Sequence, residues 1–109
     1  LNGDRQSSVI APQALFMMNS PLVIDLAGRL ADSLLDDPGL DDDGRIGRLY
    51  ETALGRPASA DEVARARAFI GRFEAVSALP AADAAGRRRE AWRAVCQSIV
   101  SSNEFFYIR

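Results

Sequence analysis

Apolar residues recur at helical spacing along this chain, in stretches bracketed by residues that start or stop helices, and this pattern restricts it to an all-α fold. From Pro21 onward, Leu22, Leu26, Leu30 and Leu34 recur every four residues, with Val23 and Ala27 flanking the stripe. Ser20 is placed as N-cap, and Pro21 takes the first helical position, where a missing N–H costs nothing. Asp25, Arg29 and Asp32 fall on the other side and can pair along a wet face. The turn signal Asp37-Pro38-Gly39 ends this helix near Asp36.

The following stretches repeat the logic. Ile46, Leu49, Tyr50 and Ala53 form one buried face, Gly55 sits where a left-handed C-terminal residue is wanted, and Pro57 prevents continuation. Ser59 and Glu62 form a capping box that opens a third long helix, with an apolar face of Val63, Ala66, Phe69, Ile70 and Phe73 ending around Ser77. A small-residue loop from Ala78 to Gly86 takes in the first turn of the last helix, capped by Asp83. That helix carries Trp92, Val95, Cys96 and Ile99, and the segment Ser102-Asn103-Glu104-Phe105 closes it. Pro12 opens a short helix through about Met18. Neither a strand pattern nor a repeat of 20–50 residues is present. The expected fold is a small bundle of four main helices plus a short N-terminal helix, with no sheet. Residues 1–109 form one domain, whose core unites Leu26, Leu30, Leu49, Tyr50, Ile70, Phe73, Trp92, Val95 and Ile99.

Composition narrows the function more by what is missing. The 13 basic residues are all arginine, with neither lysine nor histidine, as a GC-rich genome would produce. Without histidine the chain lacks the commonest general base and the commonest metal and haem ligand. Cys96 alone can form neither an internal disulfide nor a two-cysteine metal or redox motif. A net charge of −2 argues against nucleic-acid binding. No apolar run approaches the ~18 residues of a membrane span, so no membrane insertion is expected.

The candidate sites mostly have structural explanations. Asp41-Asp42-Asp43 suits the positive end of a helix and supplies a cap. A calcium loop would need alternating oxygen ligands and a closing bidentate Glu, yet the next acid after Gly44 is Glu51. Cys96 falls inside an apolar stripe, where a thiol is an inert small hydrophobe. Arg87-Arg88-Arg89 opens a helix and is followed by Glu90, which reads as a solvated face. Trp92 and Phe105-Phe106-Tyr107 are core residues on this reading and not a ligand platform. Arg56 and Glu104 each sit beside a helix terminator, and a carboxylate just past a helix end needs compensation. They are expected to form a structural latch through a charge-assisted hydrogen bond.

Three motifs carry a resemblance. They are Gln13-Ala14-Leu15-Phe16-Met17-Met18-Asn19 continuing into Ser20-Pro21-Leu22-Val23; Arg48-Leu49-Tyr50 with Leu54-Gly55-Arg56-Pro57, Ser59 and Glu62; and Trp92, Cys96, Gln97 and Val100 with Ser102-Asn103-Glu104-Phe105 and Tyr107. In this order they resemble the C-terminal domain of unknown function of planctomycete-type proteins that also carry a planctomycete cytochrome c domain. The resemblance implies an exported bacterial protein, periplasmic or of the cell envelope, with this domain near its C-terminus. Haem would then belong to another domain, because a c-type site needs Cys-x-x-Cys-His. It carries over no catalytic residue.

The expectation is therefore a non-catalytic helical accessory or interaction domain of a multidomain exported protein, without catalytic, cofactor or metal residues of its own. The chain begins at Leu1 without a leader pattern, as a piece of a longer protein would. Its expected partners are other domains of the same polypeptide and envelope proteins. One alternative is an adhesion or scaffold module of the cell envelope; another is part of a catalytic unit completed by upstream residues.

Overall fold

The computed structural model describes residues 20–108, with side chains described through Ser102. Among these residues there are four helices and no strand: α1 (Pro21–Leu35), α2 (Asp42–Leu54), α3 (Ala60–Ala75) and α4 (Ala84–Ile108). The expected short helix over Pro12–Met18 lies outside the described residues.

Local chemistry accounts for most of the boundaries. α1 starts with Pro21 behind Ser20, although the Ser20 hydroxyl makes no capping hydrogen bond. Asp41 caps α2 by accepting from the Gly44 N–H at 2.7 Å. At the other end of α2, Gly55 takes a left-handed conformation with φ 73° and donates its N–H to the Glu51 carbonyl. Only glycine adopts that backbone without strain. α3 opens with the complete reciprocal capping box of Ser59 and Glu62. Asp83 caps the start of α4 through the Gly86 N–H at 2.9 Å.

The long final helix is the hub. It packs against each of the other three, burying Ala91, Trp92, Val95 and Cys96. Trp92 is fully buried, with Leu34, Ile46 and Leu49 the largest other side chains shut away from water. Of the expected core, Leu49, Tyr50, Ile70, Trp92 and Val95 are buried, while Leu30, Phe73 and Ile99 pack against the core partly covered.

Leu26 is the exception: it is 42% exposed, and α1 instead buries Val23, Ala27, Ala31 and Leu34. A residue repeated every four positions drifts about 40° around a helix at each step. The leucine stripe therefore winds from solvent at Leu22 to the core at Leu34. The straight face is the one with two alanines, whose small side chains let α1 lie close against α4.

A second correction concerns the chain's end. The backbone of Ser102-Asn103-Glu104-Phe105 is helical and α4 runs on to Ile108, so this segment does not terminate the helix and Glu104 is not beyond its end. No proline or glycine follows Gly86 to stop the helix.

Because Trp92 has no exposure and Leu26 keeps much of its own, the two truncations should separate sharply. Trp92→Ala is expected to cost about 3–5 kcal/mol and Leu26→Ala under about 1 kcal/mol in urea unfolding. Comparable losses would contradict this division of α1 and α4 into core and surface.

Candidate functional site

Several charged side chains of this domain sit on the seams between helices. The Asp83 cap fixes the first turn of α4, and consecutive residues on that turn diverge by about 100°. Arg87, Arg88 and Arg89 therefore point at three different neighbours. Arg87 donates to the Glu74 carbonyl at 2.9 Å and to the Leu79 carbonyl at 2.7 and 3.0 Å, tying off the C-terminal end of α3. Arg88 grips Asp42 at the start of α2 with both terminal nitrogens, at 2.7 and 3.2 Å, while its guanidinium lies 5.8 Å from the Trp92 ring centroid. Arg89 donates to Asp32 of α1. The triplet is thus not a solvated helix face, as its spacing suggested, but a three-way tie from α4 to the rest of the bundle.

Arg45 completes this system from α2. Its Nε donates to the Leu34 carbonyl at 2.8 Å, one terminal nitrogen to the Asp37 carbonyl at 3.1 Å, and the other to Asp42 at 2.9 Å. A single guanidinium thereby closes the C-terminal end of α1 and the α1–α2 turn. Asp42 accepts from both Arg88 and Arg45, and the Arg88 hydrogen bond foremost holds its carboxyl below the usual carboxylate range, against the opposing effect of burial. Within the acidic triplet, Asp41 caps, Asp42 bridges two arginines, and Asp43 pairs with Arg67 of α3 at 2.7 Å.

The Leu-Gly-Arg-Pro motif builds a second cluster. Arg56 donates through both terminal nitrogens to the two oxygens of Glu62, each at 2.8 Å, and also to the Pro57 carbonyl. Glu62 Oε1 simultaneously accepts the Ser59 N–H at 2.9 Å. The guanidinium stands 5.6 Å from the Tyr50 ring centroid. This fork clamps the α2–α3 turn onto the capping box, which is why arginine and not lysine suits the position. The Arg56 hydrogen bond, seconded by Ser59, draws the Glu62 carboxyl down from an ordinary 4.5 to about 2. Glu104, the expected latch partner of Arg56, has its side chain outside the described ones; among those described, Arg56 is engaged by Glu62.

The remaining candidates have little open chemistry. Cys96 is wholly buried, and burial pushes its thiol up to about 12. Asp43, Ala60, Val63, Ala64 and Arg67 line an open depression of about 570 Å³ between α2 and α3, whose two charges pair with each other. Among the described residues, no group of three or more acids or cysteines is placed to hold a metal ion. None of the described helices is long and apolar enough to cross a membrane.

Sequence spacing made the capping box legible and the Asp42–Arg45 pair recoverable, since it sits at a helical i,i+3 interval. Asp42–Arg88 and Asp32–Arg89 join residues far apart in the chain, and no local signal marks them.

The class of protein is therefore a small α-helical bundle with arginine-tied seams. A family model described as PSD1, a protein of unknown function (DUF1553), matches residues 1–70, and the chain belongs to that family. The matched stretch covers α1, α2 and the capping box of α3, whereas the Trp92–Tyr107 motif lies beyond it. Comparisons with curated proteins and with solved structures found no match.

Two outcomes are expected. The Arg45 side chain is only 11% exposed and serves two carbonyls, while Arg29, paired with Asp25, is 78% exposed. Arg45→Met should cost roughly 2–3 kcal/mol, against under about 0.5 kcal/mol for Arg29→Met. Equal effects in denaturant titrations would refute the closing role of Arg45. The second outcome concerns pH. A carboxyl whose pKa is depressed by folding stabilises above its unfolded value, and that contribution fades as pH falls through the folded value. Stability should therefore drop between about pH 4.5 and pH 2 as Glu62 protonates. Unfolding curves of Glu62→Gln should be flatter over that window; an unchanged slope would mean that Glu62 is not held by Arg56.

Proposed function

We propose that this chain is a non-catalytic helical accessory and interaction domain of a multidomain exported bacterial protein. The observation that carries this reading is the use to which the motif around Arg56 and the charges between the helices are put. Arg56, Ser59 and Glu62 clamp a turn, and the Asp42–Arg88–Arg45 network joins helices. Charged groups engaged in this way rigidify a scaffold, and a rigid scaffold suits a domain whose task is to be held against others.

Export and placement in the envelope are supported by the resemblance to planctomycete-type proteins, as is a c-type haem in a separate domain. The chain lacks histidine, the commonest haem ligand, and its one cysteine is buried in the core. The partners on this reading are the other domains of the same polypeptide.

The experiment is reconstitution in trans. The remaining domains of the full-length gene product, purified separately, should form a saturable 1:1 complex with this chain by calorimetry. No heat and no co-elution at about 100 µM of each would defeat the accessory reading. In the same preparations, haem or zinc added to the chain alone should be lost on dialysis. A stoichiometric Soret band or retained zinc would show that the domain has a cofactor site of its own.

A further inference from the structure

Two of the arginines on the helix seams are left with open donors. Arg45 and Arg87 each place all three guanidinium nitrogens on partners. Arg88 and Arg56 each fill the two terminal nitrogens of the fork. Arg89 uses one nitrogen, on Asp32 Oδ1. Arg93 makes no hydrogen bond among the described residues; its Nη2 stands 3.7 Å from that same Asp32 oxygen. Two guanidiniums therefore converge on a single carboxylate oxygen with most of their N–H groups unused.

One carboxylate facing two cations leaves a positive charge over. Arg89 and Arg93 lie four residues apart on α4, where side chains of like charge are neighbours and repel. The Arg89, Arg93 and Asp32 side chains are 43, 52 and 40% exposed, so a ligand can reach them. Asp25, two turns earlier on α1, is already engaged by Arg29.

The α1 side of this seam is cleared. Gly28 lies one turn before Asp32, and a Cβ built there would meet the Arg93 Nε at 3.9 Å and nothing else within 4 Å. That is ordinary contact, so packing does not demand a glycine, and glycine inside a helix is costly relative to alanine. Its effect is to leave the α1 backbone bare beside Arg93. One further turn toward the N-terminus, on the same side of α1, Ile24 is 49% exposed.

We propose that Arg89 and Arg93, above Gly28 and Ile24, form a docking site for a peptide carboxylate, an acidic residue with an apolar neighbour on a segment of another domain. The carboxylate takes the open donors of the two forks, the geometry for which guanidinium is suited. Asp32 holds the arginines in place, and the apolar neighbour covers Ile24. A net charge of −2 disfavours a long polyanion such as nucleic acid, so a short acidic segment fits better. The source of the segment rests on the accessory reading above; the site itself does not.

NMR titration of the full 109-residue chain tests this, with a blocked peptide of alternating glutamate and leucine as probe. The Gly28 amide and the Arg93 Nε–H should shift saturably, with Kd of about 1 mM or tighter. Arg93→Gln, which removes no hydrogen bond, should weaken binding at least about tenfold, whereas Arg29→Gln should leave it unchanged. Gly28→Ala should still bind. Gly28→Glu, which supplies a carboxylate in cis beside Arg93, should abolish binding while the amides around Leu49 and Val95 keep their shifts. The proposal is overturned by equal binding of the glutamine–leucine peptide, by binding indifferent to Arg93→Gln, or by the absence of saturable shifts. Inorganic phosphate binding more tightly than the peptide would overturn it too. Peptide binding without a complex between this chain and the remaining domains would support the site and count only against the accessory reading.

Discussion

Everything in this bundle hangs on the burial of Trp92 under Arg88. The indole is fully enclosed at the point where α4 meets its neighbours, and the guanidinium over its ring is held by Asp42 at the start of α2. Hydrophobic burial supplies the energy of that junction, and the bidentate ion pair supplies its geometry. Asp42 then passes the constraint on, because it also accepts from Arg45, which closes the end of α1. One aromatic side chain and one carboxylate thus coordinate three of the four helices.

The arginine-only basic set acquires structural meaning here. Arg45 and Arg87 each use several donors of one planar fork to satisfy carbonyls that helix ends leave open. α3 ends at Ala75 with Val76 as its cap, without a left-handed glycine, and Arg87 supplies donors to the carbonyls of its last turn and of the following loop. A lysine offers a compact ammonium without the fork's fixed directions and would serve these positions less well. Whatever made the genome favour arginine, the fold has come to rely on its geometry.

The family motifs look different once placed on the fold. Leu54-Gly55-Arg56-Pro57 and the capping box form a single clamp around the α2–α3 turn, in which glycine provides the left-handed residue and arginine orients the glutamate that caps α3. Arg56, Ser59 and Glu62 are hydrogen-bonded to one another and act as a unit. The Trp92 motif lies beyond the matched family region, yet it supplies the core residue against which α2 is held.

The sequence alone determined the helices and where most of them begin and end, because caps, prolines and apolar spacing act over a few residues. It also determined that Trp92, Leu49, Tyr50, Val95 and Cys96 would be inside, since their stripes are strongly periodic. It could not decide which face of α1 goes inward: Leu22, Leu26 and Leu30 outweigh Val23, Ala27 and Ala31 in hydrophobicity, but only the alanine face lets the helix lie close to α4. Nor could it assign the arginine triplet, whose partners lie up to 57 residues away. It misplaced the end of α4, because Ser102-Asn103-Glu104-Phe105 reads as a closing segment whereas the backbone continues as helix to Ile108. Local signals are legible in sequence because they act between near neighbours along the chain. Close approach and ion pairing between helices depend on how whole elements stack, and only the tertiary structure decides that.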